Sequence, residues 1–310
     1  MPRRLHPARA TVPVLLLVSL LVAACRPAAG STGPTPEPNA LRVVATTTVF
    51  ADLVHQVGGT LVSVESLVPR GGEVHTFDPT PADVMRVTEA QLIVANGLGL
   101  DDWLTGLVRD AGTGAPIVKL AENLPGVSYL AGDSGGTANP HLWLNVAYAV
   151  KYVDRIEAAL ATADPADAAA FAANADAYRA RLTALDTDIR SRLAALPAAD
   201  RVVVSFHDAF PYFAAAYGIT VVGSIVSSPG QDPSAGQIAA LVTKIRDSGA
   251  RAIFAEAQFS PKLAETIAGE TGSTVVTDLY TDSLGDAPVD TYEAMMRSNA
   301  DRVVEALTGG

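Results

Sequence analysis

The amino-acid sequence predicts an α/β protein of two lobes, each with a parallel sheet built from four strand–helix units. Three observations predict this fold. Short β-branched runs alternate with helical stretches from Leu41 onward, the alternation occurs twice, and about thirty residues without a helix breaker separate the two sets. Such alternation is typical of parallel sheets covered on both faces. We therefore expect two (βα)4 lobes joined by a long, rigid α-helix.

The N-terminal residues have the pattern of a lipoprotein signal. Three arginines precede an apolar run from Val12 to Val22, which is followed by two alanines and Cys25. About eleven apolar residues are too few to span a bilayer, which needs about 20, so we interpret 1–24 as a signal peptide. Small residues before a cysteine resemble the lipobox of bacterial lipoproteins, in which that cysteine is lipidated. The alternative is an ordinary secretory signal with an incidental cysteine.

Composition and charge limit the class of protein. Residues 25–39 are rich in Pro, Gly, Ser and Thr and are expected to form a flexible tether. Cys25 is the only cysteine, so the fold must rest on an apolar core without an internal disulfide. Removing 1–24 changes the net charge from −11 to −14, because that segment holds three arginines and no acids. This balance argues against nucleic acid, whose phosphates need a basic surface.

The first lobe is predicted over residues 40–145. Its four strands are expected at Leu41–Thr47, Val62–Val68, Leu92–Asn96 and Pro116–Leu120. Its helices are expected near Phe50–Val57, Pro81–Ala90, Asp101–Ala111 and Asn145–Ala161.

The second lobe is predicted over residues 200–310 and repeats the pattern of the first without visible sequence identity. Its four strands are expected at Arg201–Ser205, Thr220–Ile225, Ala252–Ala255 and Thr274–Leu279. Its last helices are expected near Ser234–Ser248, Ser260–Gly269 and Thr291–Leu307.

A helical connection is predicted over residues 146–199, with one long helix at about 164–196. Asp164 is a good N-cap residue and Pro165 fits the first helical position. Apolar residues then recur at helical spacing, at Phe171, Tyr178, Leu182, Leu185, Ile189 and Leu193. A helix of this length extends about 48 Å, so we expect it to pack along both lobes of a monomer. A coiled-coil dimerisation helix is the alternative, but the apolar stripe covers barely three heptads.

Four candidate metal ligands fall beyond the carboxyl ends of predicted strands. His75 lies in a loop bounded by glycine and proline after the second strand, and His141 follows the fourth. In the second lobe, His207 follows the first strand and Asp282 follows the fourth. The carboxyl ends of parallel strands form the edge where α/β proteins bind ligands. Two candidates come from each lobe, so they converge only if those edges face each other across a cleft.

The chemistry of these four residues favours zinc. Three imidazoles and one carboxylate form a good tetrahedral donor set, with bonds of about 2.0 to 2.2 Å. Any one of the histidines alone is often only a hydrogen-bonded structural residue. Asp282 is the weakest of the four, because Glu256, Asp278 and Asp286 lie nearby in the sequence. His55 falls within a predicted helix and is expected on the surface.

Several short stretches of the sequence carry a resemblance to a known family. They are Gly71-Gly72 through His75 to Pro79-Thr80-Pro81, Asn96-Gly97-Leu98-Gly99-Leu100-Asp101 with Trp103, Pro140-His141-Leu142-Trp143-Leu144, His207-Asp208-Ala209-Phe210 with Tyr212-Phe213 and Tyr217-Gly218, Phe254-Ala255-Glu256 with Gln258-Phe259, and Thr281-Asp282-Ser283-Leu284. Each stretch alone is a weak indication, whereas together they are highly specific. Over nearly its whole length, the chain resembles the zinc and manganese solute-binding proteins of bacterial ABC transporters, the ZnuA/TroA-like group.

The resemblance implies a function, a site and partners. It implies two (βα)4 lobes joined by a long helix, with a metal buried between them and all four candidates named above as its ligands. It also implies capture of the metal outside the cytoplasm and delivery to a membrane permease that a cytoplasmic ATPase drives. Beside the ligands or in the cleft, we expect Glu256, Asp208, Trp143 and Asp278.

Three departures from the family pattern concern loops around the site. The family commonly has Asp-Pro before its first histidine, where this chain has Glu73-Val74, so we expect that loop to be fixed differently. Asn139 stands where aspartate is usual, so a carboxylate that supports a ligand is expected to be missing. The loop from Glu122 to Ala138 contains no histidine, so the auxiliary histidine-rich site of many zinc-specific relatives is expected to be absent.

His207 decides the expected metal. Manganese-selective relatives usually supply a carboxylate at this position, and a third imidazole instead favours zinc over harder ions. We therefore expect zinc, with manganese as the alternative. Binding is expected to weaken as the pH falls through about 6.5, where imidazoles take up protons.

Two other classes of function are weighed against transport. A secreted zinc hydrolase needs an open metal position and a general base, but four protein ligands leave no such position and no His-Glu-x-x-His motif occurs. We therefore do not expect an enzyme. A surface adhesin is compatible with metal transport, and the sequence does not separate the two. In either case we expect an extracytoplasmic protein that is anchored to the membrane through Cys25.

Overall fold

The computed structural model of the protein describes residue 1 and residues 35–132 and 138–309. The expected signal peptide at 1–24, the lipidation site Cys25 and most of the tether at 25–39 lie outside the described residues. Within the described ranges, no helix has both the length and the apolar character needed to cross a bilayer.

The first lobe is a four-stranded parallel sheet with helical connections. Its strands pair in the order β2-β1-β3-β4, where the strands are β1 (Leu41–Ala45), β2 (Val62–Ser66), β3 (Leu92–Ala95) and β4 (Ile117–Lys119). Its helices are α1 (Thr48–Gly58), α2 (Pro81–Glu89) and α3 (Leu104–Ala111). Strand β3 lies inside the sheet and is buried at every position, which explains its unbroken apolar run.

Two helices, α4 (Val146–Ala163) and α5 (Ala168–Ala194), connect the lobes. The prediction of one helix over 164–196 is wrong at its start, because residues Pro165–Asp167 form a 3-10 turn. The side chain of Asp164 accepts a hydrogen bond from the backbone of Ala166 and so caps this turn rather than α5. Helix α5 therefore has 27 residues and extends about 40 Å.

The second lobe repeats the connectivity of the first. Its strands pair in the order β6-β5-β7-β8, where the strands are β5 (Val202–His207), β6 (Thr220–Val226), β7 (Ala252–Glu256) and β8 (Thr274–Leu279). Its helices are α6 (Pro211–Tyr217), α7 (Ala235–Ser248), α8 (Lys262–Thr271) and α9 (Tyr292–Thr308). With α5 between two parallel four-stranded sheets, the predicted fold class is confirmed.

Strands β5 and β7 are longer at their carboxyl ends than the sequence predicts. His207 pairs with Val226 on β6, and Glu256 pairs with Leu279 on β8, so the ladders continue to these residues. His207 is therefore the last residue of β5, and the expectation that it follows the strand is corrected.

Helix α5 packs along both lobes. The six apolar residues of its predicted stripe are all fully buried. The helix contacts α1 and α4 from the first half of the chain and α6 and α9 from the second. One continuous cluster of buried apolar side chains therefore runs from lobe to lobe, and the stripe has no exposed face for a coiled-coil partner.

Polar contacts also fix the lobes to each other. A carboxylate oxygen of Asp52 on α1 accepts a hydrogen bond from the backbone of Tyr292 at the start of α9, at 2.8 Å. The hydroxyl of Tyr292 donates to the carbonyl of Trp143 at 2.6 Å. The indole of Trp143 in turn meets the ring of Phe50 edge-on at 5.1 Å. These contacts oppose a wide opening of the cleft.

Candidate metal centre

The structure brings the four predicted ligands together. Their donor atoms all lie within 4.8 Å of one another. Oδ2 of Asp282 is 3.4 Å from Nε2 of His75 and 3.5 Å from Nε2 of His207. Oδ1 of the same carboxylate is 3.4 Å from Nε2 of His141, and the Nε2 atoms of His141 and His207 are 3.3 Å apart. A tetrahedron with metal–ligand bonds of about 2.0 to 2.1 Å has edges of about 3.3 to 3.4 Å, and these four distances are close to such edges.

The donor atoms are buried, and several lack partners. The side chains of His207 and Asp282 are fully buried and that of His141 is 3 % exposed, whereas the imidazole of His75 is 13 % exposed. Apart from the contacts among the four side chains themselves, Nε2 of His75 and both carboxylate oxygens of Asp282 have no hydrogen-bond partner within the described residues. Buried polar atoms are rarely left without a partner in folded proteins. Their convergence on one point is what a cation site requires.

The loop that carries His75 is held in place by contacts before the histidine and by one contact to its backbone N–H. Arg86 on α2 donates to the carbonyl oxygen that ends β2, at 2.8 Å. Val74 is fully buried, and its carbonyl accepts a hydrogen bond from the indole of Trp103 at 2.8 Å. Oε1 of Glu73 accepts from the backbone N–H of His75 at 2.8 Å. The loop is thus fixed by a carboxylate and a buried valine in place of the usual Asp-Pro.

The loop that carries Asp282 is held by contacts from the first lobe. The indole of Trp143 donates to the carbonyl of Thr281 at 2.9 Å. The hydroxyl of Ser283 accepts from the backbone N–H of Gly71 at 2.8 Å. Residues on both sides of Asp282 are therefore tied across the cleft, so the position of its carboxylate depends on how the lobes pack.

Asn139 fixes the orientation of His141. Its side-chain oxygen accepts from the backbone N–H of His141 at 3.0 Å and lies 2.9 Å from Nδ1 of the ring. We assign the Nδ1 proton to this contact, which leaves the lone pair of Nε2 facing the other donors. The amide of Asn139 donates to the carboxylate of Asp208 at 3.0 Å. The sequence predicts that a supporting carboxylate is missing at position 139. In the structure, Asp208 supplies a carboxylate that contacts Asn139 instead of His141.

Glu256 supports His207 in a similar way. Nδ1 of His207 lies 2.8 Å from Oε1 of Glu256, and both side chains are fully buried. They are the last residues of the paired strands β5 and β7. A carboxylate behind a ligating imidazole holds the ring and increases its basicity.

Burial and charge shift the titration of the donors in opposite directions. Burial lowers the pKa of His207, but the carboxylates of Glu256 and Asp282 outweigh it and raise that pKa well above the ordinary imidazole value. Burial lowers the pKa of His141 well below this value, because the charge of Asp282 compensates only in part. Burial also raises the pKa of Asp282, yet the surrounding histidines hold it well below the ordinary carboxyl value.

Comparison with known proteins decides the family. The family model described as zinc-uptake complex component A, periplasmic (ZnuA), matches residues 43–306. The chain belongs to the ZnuA family.

Relatives of this ZnuA-family chain carry names that refer to different metals. It is 30 % identical over 297 residues to the manganese-binding lipoprotein MntA of Halalkalibacterium halodurans, covering 95 % of this chain and 97 % of the relative. It is 31 % identical over 302 residues to MtsA of Streptococcus pyogenes, an iron ABC transporter substrate-binding lipoprotein, covering 94 % of this chain and 96 % of that one.

Solved structures of two other proteins share the fold. The periplasmic zinc-binding protein TroA of Treponema pallidum superposes with a TM-score of 0.80 at 29 % identity, covering 86 % of this chain and 99 % of TroA. A manganese-bound periplasmic metal-binding protein of Candidatus Liberibacter asiaticus superposes with a TM-score of 0.77 at 25 % identity, over the same shares of the two chains. The family resemblance found in the sequence is confirmed.

The remaining predicted residues of this ZnuA-family chain separate into two groups. Glu256, Asp208 and Trp143 lie beside the donors, and the ring of Trp143 is 5.2 Å from that of His141. Asp278 does not lie beside the donors, so the expectation that it belongs to the cleft is corrected. Its side chain is 44 % exposed on β8 and forms an ion pair with Arg302 on α9 at 2.7 Å.

Two residues lie outside the cluster, and a third was given no role by the sequence. Asp286 is exposed, and His55 lies partly exposed on α1 outside the group of converging donors. The sequence also assigned no role to Trp103, whose indole holds the His75 loop. Its place within a family motif was the only available signal.

Proposed function

We propose that the protein is the extracytoplasmic substrate-binding lipoprotein of an ABC transporter, which captures zinc and delivers it to a membrane permease. The observation that carries this proposal is the convergence of three imidazole nitrogens and one carboxylate at tetrahedral spacing, with unpartnered atoms on His75 and Asp282. The first lobe, at 40–145, and the second, at 200–310, would each supply two ligands. Membership of a family of transport components supports transport rather than catalysis.

The choice of zinc rests on the donor set. A third imidazole at His207 adds a nitrogen ligand where a carboxylate would favour manganese. Manganese is the second candidate, because relatives of similar identity are named for manganese and iron as well as zinc. The permease and its ATPase are proposed from the names of these relatives, and the lipid anchor at Cys25 from these names and the pattern of residues 1–24. The monomeric state is proposed because the apolar stripe of α5 is buried within the chain.

Competition between metals tests the proposal. Protein freed of metal by a chelator is mixed with equal, limiting concentrations of Zn2+ and Mn2+, and the bound ions are measured by mass spectrometry after gel filtration. We expect zinc to occupy nearly every site, since nitrogen donors bind zinc more tightly than manganese. Predominant manganese would contradict the choice of zinc, and absence of both ions would contradict metal capture.

A further inference from the structure

An acidic side chain, Glu73, lies in the loop of the candidate metal centre two residues before His75. Oε1 of Glu73 accepts from the backbone N–H of His75, but Oε2 is buried and has no hydrogen-bond partner within the described residues. The charged groups that interact with this carboxylate include Asp282, His75 and His207, which are three of the four donors. The hydrogen bond that fixes the loop explains the position of Oε1, but it gives no role to Oε2.

The backbone on both sides of Glu73 is anchored. Gly71 donates to Ser283 in the Asp282 loop, and the carbonyl of the buried Val74 accepts from Trp103. The backbone that carries Glu73 is therefore fixed beside the centre. Its side chain is one methylene longer than the aspartate common at this position in the family, so it reaches further from the backbone.

The centre is least enclosed on the side of this loop. The imidazole of His75 is 13 % exposed, whereas the side chains of the other three donors are at most 3 % exposed. An additional ligand can approach the ion most easily from the open side, and Glu73 belongs to the loop that forms it. Four donors at tetrahedral spacing suit zinc, but manganese and ferrous iron prefer more oxygen ligands and higher coordination numbers.

We propose that Glu73 is a fifth metal ligand, which lets the same centre hold manganese or ferrous iron in higher coordination as well as four-coordinate zinc. This inference rests on the proposed metal-binding function. Glu73 would bring a second carboxylate ligand to the ion besides Asp282, while the carboxylate of Glu256 lies behind His207. A transporter component built in this way accepts both softer and harder divalent ions at one site.

Three variants separate coordination by Glu73 from its charge. Glu73→Gln removes the charge at nearly constant size, Glu73→Asp keeps the charge but shortens the reach, and Asp78→Asn removes an exposed charge from the same loop. Mn2+ affinity is measured from the electron paramagnetic resonance signal of free Mn2+, and Zn2+ affinity by competition with a chromophoric chelator. Absorption of bound Co2+ reports the coordination number, because four-coordinate Co2+ absorbs visible light more strongly than five-coordinate Co2+. Thermal unfolding of the metal-free proteins checks that each variant folds.

The expected results are selective for the metal. Glu73→Gln and Glu73→Asp should each weaken Mn2+ binding about tenfold or more, change Zn2+ binding less than about threefold and strengthen the Co2+ absorption. Asp78→Asn should change neither affinity by more than about twofold. Equal losses for both metals, or full Mn2+ affinity in Glu73→Asp, would overturn the role of Glu73. If only the role of Glu73 is wrong, the wild-type protein still binds both ions. If the wild-type protein binds neither ion, the proposed function is wrong as well.

Discussion

Nδ1 of His207 lies 2.8 Å from Oε1 of Glu256, where the paired strands β5 and β7 both end. The two side chains are fully buried, and the carboxylate oxygens of Glu256 have no other hydrogen-bond partner within the described residues. The strand pairing thus sets the orientation of one candidate ligand without any metal. It also places a second negative charge, besides that of Asp282, close to the centre.

Replacing Glu256 tests this support directly. Glu256→Gln keeps the size of the side chain but removes the charge that holds the imidazole of His207. Since loss of such a partner commonly costs about 10-fold to 100-fold in metal affinity, we expect zinc binding to weaken by that factor. Competition with a chelator measures it, and an unchanged affinity would show that Glu256 does not support the ligand.

Zinc binding should release a proton from His207 even above about pH 6.5, where a free imidazole is mostly neutral. The pKa of His207 lies well above 6.5 because the carboxylates of Glu256 and Asp282 outweigh the effect of burial. Above pH 6.5, His207 therefore still holds a proton that zinc must displace, while His141, whose pKa is lowered, is already neutral. Zinc affinity should rise with pH until the pH exceeds the raised pKa of His207. As the pH falls, zinc binding should therefore begin to weaken at a higher pH than the sequence suggests.

Calorimetric titration in buffers of different ionisation enthalpy measures this proton release. At about pH 7, we expect about one proton per zinc in the wild type and less in Glu256→Gln, because that variant loses a cause of the raised pKa. Release that is zero in the wild type, or equal in the two proteins, would contradict the assignment to His207.

Trp143 should couple the packing of the lobes to the metal site. Trp143→Phe keeps an aromatic ring against Phe50 but removes the indole donor, which leaves the buried carbonyl of Thr281 without its partner. We expect a loss of about 1 to 3 kcal/mol in the free energy of unfolding, measured by urea denaturation. Zinc affinity should also fall, because Thr281 precedes Asp282. Unchanged stability and affinity would show that this contact is dispensable.

The stripe along α5 should carry much of the stability of the chain. Leu185 is fully buried on this helix, so Leu185→Ala should lower the free energy of unfolding by about 2 to 5 kcal/mol. Thr183→Ala, at an exposed position on the same helix, should change it by about 0.5 kcal/mol or less. Similar losses in the two variants would mean that α5 is not packed as described.

The sequence was sufficient to predict the four side chains that converge in the structure, because their placement follows from local patterns. Runs of β-branched residues mark the strands, and the carboxyl ends of parallel strands define the edge where His75 and Asp282 lie. The capping box of Thr80 and Asp83 likewise fixes the start of α2, which matches its predicted start. Such signals involve neighbours in sequence.

The partners of the donors were harder to predict, because they come from distant parts of the chain. Asn139 contacts His141 two positions away, but its amide donates to Asp208, which lies 69 positions further along the chain. That second contact is visible only in the folded structure. The exact end of β5 depends on pairing with β6 for the same reason. Asp278 shows the converse error, since nearness in sequence to Asp282 does not place its side chain in the cleft.

The metal content of refolded protein tests the central claim most directly. Wild type, His207→Ala and His55→Ala are refolded with zinc, freed of loosely bound ions by gel filtration and analysed by mass spectrometry. We predict about one zinc per chain in the wild type and in His55→Ala, and none or a small fraction in His207→Ala. One zinc per chain in His207→Ala would contradict the account of the centre.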